Sequence, residues 1–190
     1  MLVLGISGSL RVGSYNTALL EAAAEILPPT ARLQRFGELG ALPPYSEDID
    51  VEPAPPAVTV LRDAIANADA LLLATPEYNA SLPGPLKNAL DWASRPYPEN
   101  TLRKVPAAVI GASTGPFGAV WAQAEARKVL SFAGAQVLEV ELPIREAEGA
   151  FDERLRLVSP VHKSQLSAIL ADLIGAAVRS VAPREVTSAR

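Results

Sequence analysis

Hydroxyl, amide and guanidinium groups crowd into one short stretch near the start of the chain. Ser7, Ser9, Arg11, Ser14, Asn16 and Thr17 all lie within Gly5-Ile6-Ser7-Gly8-Ser9-Leu10-Arg11-Val12-Gly13-Ser14-Tyr15-Asn16-Thr17. The apolar run Leu2-Val3-Leu4 precedes this stretch, and a helical pattern opens after it, so it reads as strand, small-residue loop, helix. Such a loop leaves backbone N–H groups unpaired at a helix N-terminus, where the helix dipole also favours negative charge. Gly5, Gly8 and Gly13 are not spaced as a dinucleotide-binding G-x-G-x-x-G, no Lys follows Gly13 as a Walker loop requires, and Ser9 stands where a nucleophile elbow needs Gly. The donors present suit a dianionic, terminal phosphate, with Arg11 offering the fork for it. The competing use is structural: Ser14 or Asn16 as the cap of the following helix.

Other chemistry is scarce. The one histidine, His162, falls at an expected helix start far from this loop, where a surface or capping role suits it. There is no cysteine, which excludes disulfides, thiolate metal sites and cysteine nucleophiles. No Ser/His/Asp set and no metal cluster can be assembled, so no residue is assigned as catalytic or as a metal ligand. A chain that supplies neither nucleophile nor metal is expected to rely on a bound cofactor. At 190 residues, 49% hydrophobic and 20% charged, the composition is globular and predicts one domain over 1–181 with a disordered tail over 182–190. A net charge of −4 without a basic run argues against nucleic acid, and no apolar run is long enough to span a bilayer. A soluble, cytoplasmic protein that does not engage membranes is the expectation.

The elements that must position the loop alternate. Helices are predicted over 16–27, 58–67, 85–93, 119–132 and 161–181. Strands are predicted over 2–4, 32–36, 70–74, 105–110 and 136–142. Arg32–Phe36 alternates polar and apolar like an edge strand, whereas Ala70-Leu71-Leu72-Leu73-Ala74 is apolar throughout like a central parallel one. The stretch 37–56, rich in Pro and acidic side chains, is a linker or a lid, with Tyr45 either beside a ligand or anchoring the loop. This βα alternation predicts an α/β three-layer sandwich: a five-stranded parallel sheet in the flavodoxin-like order 2-1-3-4-5 with helices on both faces. Its switch point lies between the first and third strands, and three unusual loops meet at that edge: 8–16 and 76–79, with 113–118 beside them. A terminal-phosphate loop at the switch point of such a sheet points to FMN. Glu77 is the only acid inside these loops.

At these residues a resemblance is plain. Gly8-Ser9-Leu10-Arg11-Val12-Gly13-Ser14-Tyr15-Asn16 resembles the G-S-x-R-x-x-S-x-N phosphate loop of the NAD(P)H-dependent FMN reductase family, which also holds chromate, quinone and azo-dye reductases. Pro76-Glu77-Tyr78-Asn79, followed by Pro83-Gly84-Pro85-Leu86-Lys87-Asn88-Ala89-Leu90-Asp91-Trp92, is similar to its second signature. The resemblance runs from about Met1 to Phe132. It implies that Ser9, Arg11, Ser14, Asn16 and Thr17 hold the FMN phosphate, that Pro76, Glu77, Tyr78 and Asn79 line the ribityl chain and ring, and that Ser113 and Gly115 close on the pyrimidine end. Many members have Gly-Gly where this chain reads Gly118-Ala119. Without the family, 76–79 reads as a tight strand-to-helix turn, and Leu90 and Trp92 are core or dimer interface. The resemblance further implies NADPH or NADH as co-substrate, a small-molecule electron acceptor (quinone, flavin, chromate, azo dye or ferric complex), ping-pong kinetics and a homodimer or homotetramer. The alternatives are an FMN electron carrier that docks to protein partners, as flavodoxins do, and a flavin-free protein on the same fold.

Overall fold

The structure is a computed structural model that describes residues 1–181; the tail expected over 182–190 lies outside the described residues. In chain order the elements are β1 (Leu2–Ser7), α1 (Tyr15–Ile26), β2 (Arg32–Phe36), α2 (Pro56–Ala66), β3 (Ala70–Ala74), α3 (Gly84–Ala93), β4 (Pro106–Ala112), α4 (Val120–Phe132), β5 (Gln136–Val137), β6 (Pro143–Ile144) and α5 (Pro160–Val181). The strands pair in parallel in the order β2-β1-β3-β4-β5, with β6 pairing further along β4. This is the flavodoxin-like order that the βα alternation predicts.

Because side chains alternate across a strand, an all-apolar strand must be covered on both faces. Val3, Leu72, Ala74, Ala108 and Ile110 pack with α1 and α5. Leu4, Ile6, Leu71, Leu73, Ala107 and Val109 pack with α2, α3 and α4. Every residue of β3 and β4 is buried, whereas β2, at the sheet edge, buries only Phe36 fully. Register then aligns the strand ends: Ser7 lies opposite Ala74, and Ala74 opposite Ile110. The loops after β1, β3 and β4 therefore leave the sheet side by side.

The 37–56 stretch is strapped down. Asn88 on α3 donates to the Pro43 carbonyl at 2.9 Å and accepts from the Tyr45 N–H at 2.8 Å, while the Trp92 indole N–H donates to the same Pro43 carbonyl at 2.8 Å. The Tyr45 ring meets Trp92 edge-on with centroids 4.9 Å apart. Tyr45 is thus a loop anchor, and Leu90 and Trp92 are core, 2% and 0% exposed. Among the described residues no helix is long and apolar enough to cross a membrane.

The strand expected over 136–142 departs from its prediction. It pairs with β4 only at Gln136–Val137, and β4 pairs again at Pro143–Ile144. The partners advance four residues on β4, from Ala107 to Gly111, but six on the other strand, from Val137 to Pro143. Those extra residues bulge away from the ladder, and α4 satisfies the backbone they expose. Gln123, fully buried, accepts from the Leu142 N–H at 3.0 Å and donates to the Gly118 and Leu142 carbonyls at 3.0 and 3.3 Å. Arg127 donates to the Val140 carbonyl at 3.2 Å. A polar side chain in a helix core stripe is the only trace this left in the sequence. A Gln123→Leu variant keeps the volume but strands buried backbone groups, each costing about 1–3 kcal/mol. Urea unfolding of that variant is expected to show a loss of roughly 2 kcal/mol or more, with the slope unchanged.

Candidate functional site

The loop after β1 is organised by its own hydroxyls. Ser14 caps α1, its Oγ accepting from the Asn16 and Thr17 N–H groups at 3.2 and 3.4 Å. Of the two capping candidates, Ser14 is therefore the cap. Ser7 accepts from the Ser9 N–H at 3.3 Å and from the Thr17 hydroxyl at 3.0 Å, and Ser9 Oγ accepts from the Arg11 N–H at 3.3 Å. Gly8 lets this loop close on its neighbour, since a Cβ there would come within 2.9 Å of Leu86 and 3.3 Å of Pro76. Arg11 is exposed, its guanidinium 5.7 Å from the Tyr15 ring centroid, and has no carboxylate partner among the described residues. Nor do the N–H groups of Val12, Gly13 and Ser14 find a protein acceptor among them.

Asn16 is buried and joins the first loop to the end of β4: its amide donates to the Ala112 carbonyl and accepts from the Ala112 N–H, both at 2.9 Å. A side-chain amide mimics a strand partner there, continuing the ladder one step past the sheet. Asn16 thereby positions Ala112, Ser113 and Thr114.

The 75–83 loop is clamped to α4 by two carboxylates facing opposite ways. Glu77 accepts from the Trp121 and Ala122 N–H groups at 2.9 and 3.0 Å. These are unpaired first-turn donors of α4, and Ala119, which precedes the helix with φ 60°, has no side-chain cap to offer them. Glu77 therefore serves as the cap from another loop, in a position the helix dipole also favours. Glu125 answers from α4, accepting from the Ser81 hydroxyl at 2.5 Å and the Leu82 N–H at 3.1 Å. Between the two clamps, Tyr78 and Ser81 exchange backbone hydrogen bonds at 3.0 and 3.1 Å around Asn79 and Ala80, at φ 53° and 58°. Paired left-handed residues make this a type I′ turn, which explains an Asn at 79.

The third loop rests on the segment after β6. The Ser113 carbonyl accepts from the Ala147 N–H at 3.1 Å and the Gly115 carbonyl from the Glu146 N–H at 3.2 Å, while the Gly115 N–H donates to Ser113 Oγ at 3.1 Å. Gly118, at φ 64°, packs so closely on Pro143 that a Cβ would lie 2.6 Å from its carbonyl carbon.

A cavity of about 360 Å³ opens among these loops. Of the residues singled out in the sequence, Ser9, Arg11, Ser14 and Asn16 line it from the first loop, Pro76, Glu77 and Tyr78 from the second, and Ser113 from the third. Thr17 instead faces a hollow of about 620 Å³ on the other side of the first loop, which shares Ser9, Arg11 and Ser14. Asn79 is exposed at its turn tip, and neither it nor Gly115 lines the smaller cavity. Tyr15, Thr114 and Glu148 line that cavity without having been singled out. Tyr15 and Thr114 lie inside the recognised loops; Glu148 arrives only because 146–147 pairs with 113–115, a contact no local pattern announces. His162 stands in the first turn of α5, away from this cavity, and partial burial lowers its pKa.

Comparison with known proteins agrees with this geometry. The family model described as NADPH-dependent FMN reductase matches residues 1–149. The chain is 48% identical over 157 residues to an NAD(P)H-dependent FMN reductase of Pseudomonas aeruginosa, covering 82% of this chain and 84% of that one. It is 38% identical over 166 residues to a 2-hydroxy-1,4-benzoquinone reductase of a Burkholderia species, covering 87% and 90%. Among solved structures it is similar to a flavoenzyme NAD(P)H:(acceptor) oxidoreductase from Paracoccus denitrificans, with a TM-score of 0.85 at 33% identity over 94% and 98% of the two chains.

The carboxylate clamp has a titration signature. The Ser81 hydroxyl foremost, with the Leu82 N–H, holds the Glu125 carboxyl below the usual glutamate range against the opposing effect of partial burial. A group whose pKa is lowered on folding adds stability above its unfolded pKa and loses it as pH falls through the folded one. A carboxyl-carbon NMR titration is expected to place Glu125 below ordinary glutamates, with Ser81→Ala returning it upward. A Glu125 that titrates at the ordinary value in the unaltered protein contradicts the clamp.

Proposed function

The chain belongs to the NADPH-dependent FMN reductase family, and from that premise we propose that it is an FMN-dependent NAD(P)H oxidoreductase whose acceptor is a small molecule of the quinone class. The observation that carries the reading is the group of unpaired donors at the start of α1, the Arg11 guanidinium and the N–H groups of Val12, Gly13 and Ser14, beside a cavity of small-ligand size.

The residues fit the cofactor. Arg11, Ser9 and the loop N–H groups would hold its phosphate, and 76–78 and 112–114, fixed by the Glu77 and Asn16 contacts, would form the walls along the rest of it. FMN supplies the hydride-accepting and electron-donating chemistry, which the side chains of this protein do not offer. What the protein contributes is position. Ser14 caps α1 and so fixes the turn whose remaining N–H groups face the phosphate, Asn16 fixes the third loop against the first, and Glu77 and Glu125 fix the second against α4. NAD(P)H and acceptor enter one after the other at the same cavity, so that the order is ping-pong. The quinone class is supported by the activity named for the Burkholderia relative.

The reading includes assembly as a homodimer or homotetramer. Leu90 and Trp92 belong to the core, so the surface on offer is the outer side of α3 and α4. There Phe132 and Tyr97 are 90% and 72% exposed around a groove of about 370 Å³.

Arg11→Ala tests the reading. A charge-assisted contact to phosphate is worth about 1.5–3 kcal/mol, so FMN affinity is expected to fall roughly tenfold or more. The measurement is fluorescence titration of FMN with apoprotein. An unchanged affinity would remove the first loop from the cofactor site.

A further inference from the structure

Two large aromatic side chains near the cavity stand about half exposed. Phe117 and Trp121 are 53% and 46% exposed, with ring centroids 4.8 Å apart and planes inclined at 59°. Rings of this size are normally buried when they serve the fold, as Trp92 is at 0% exposure. Both stand on rigid supports. The Trp121 backbone N–H donates to the Glu77 carboxylate, and Phe117 precedes Gly118, whose backbone packs closely on Pro143. The Glu77 contact also fixes where the pair sits. Glu77 and its neighbour Tyr78 line the cavity, and the Tyr78 ring is itself 54% exposed. Neither ring lines the cavity itself, but the Trp121 backbone lies one hydrogen bond from Glu77, which does, and Phe117 follows Thr114 of the lining by three residues.

We propose that Phe117 and Trp121 form a stacking platform at the cavity mouth that selects planar, conjugated acceptors over compact ones. This rests on the reductase reading given above. A quinone offers a flat π face, and the V made by two inclined rings gives it one ring for offset stacking and one for edge contact. A compact anion such as ferricyanide offers neither. The two side chains act on acceptor choice and have no part in holding the phosphate, which Arg11 and the first loop serve.

The test compares a naphthoquinone with ferricyanide as acceptors for the FMN-loaded protein. Aromatic pairs contribute a few-fold to about tenfold in affinity. In Trp121→Ala the ratio of kcat/KM for naphthoquinone to that for ferricyanide is expected to fall about two- to tenfold, with a smaller fall in Phe117→Ala and recovery in Trp121→Phe. A second readout needs no turnover. Naphthoquinone added to the oxidised protein should quench tryptophan emission saturably, and this saturable phase should vanish in Trp121→Phe, which retains only the buried Trp92. FMN titration of each variant separates the two levels: FMN that fails to bind the unaltered protein overturns the reductase reading itself. Bound FMN with an unmoved acceptor ratio leaves that reading standing and overturns the platform. Equal losses with both acceptors, together with a changed sedimentation coefficient, also overturn it and make the pair a contact between copies of the chain.

Discussion

On the β3 side of Ala112 the sheet's own hydrogen bonds give out, and much of what lies above that edge is held by side chains bonded to backbone. Asn16 extends the β4 ladder by pairing with both polar groups of Ala112. Glu77 caps α4 from a loop more than forty residues earlier, and Glu125 returns the contact through Ser81 and Leu82. Gln123 replaces the ladder where the last strand bulges away from β4. Each contact satisfies buried or helix-terminal backbone groups that would otherwise be costly to leave unpaired. Together they tie three loops into one rim.

That rim explains how a chain with few reactive side chains is built for chemistry. The groups that hold the loops are engaged with one another, and at the start of α1 the groups without a partner among the described residues are donors: Arg11 and the N–H groups beside it. A surface that offers cationic and N–H donors at a helix start, next to shaped walls, binds an anionic cofactor and leaves reactivity to it. Membership of the FMN reductase family agrees with this division of labour.

Much of this was legible in the residues. The all-apolar runs at 70–74 and 105–110 marked central parallel strands, and the alternation at 32–36 marked the edge, because burial on two faces or one leaves different periodicities. The loops 8–16 and 75–79 stood out because donors and prolines are dense there. The roles of individual side chains were less legible. Glu77 and Asn16 both line the cavity, but the structure also gives their side chains a task the sequence did not show: the Glu77 carboxylate caps α4, and the Asn16 amide is bound to Ala112. In both cases the partner is backbone, and backbone groups carry no mark in a sequence. The break in the last strand was hidden for the same reason, since Leu138-Glu139-Val140-Glu141-Leu142 alternates as a continuing β5 would and only the register with β4 shows the two surplus residues. Glu148 reaches the cavity through that same irregular segment.

The most direct test of the account is an anaerobic absorbance experiment on the FMN-loaded protein. NADPH alone should bleach the flavin band, and a quinone added after the nicotinamide has been removed should restore it, showing two separable half-reactions at one site. A flavin that binds and keeps its oxidised spectrum with both NADPH and NADH would contradict the reductase assignment and leave a carrier of electrons in its place.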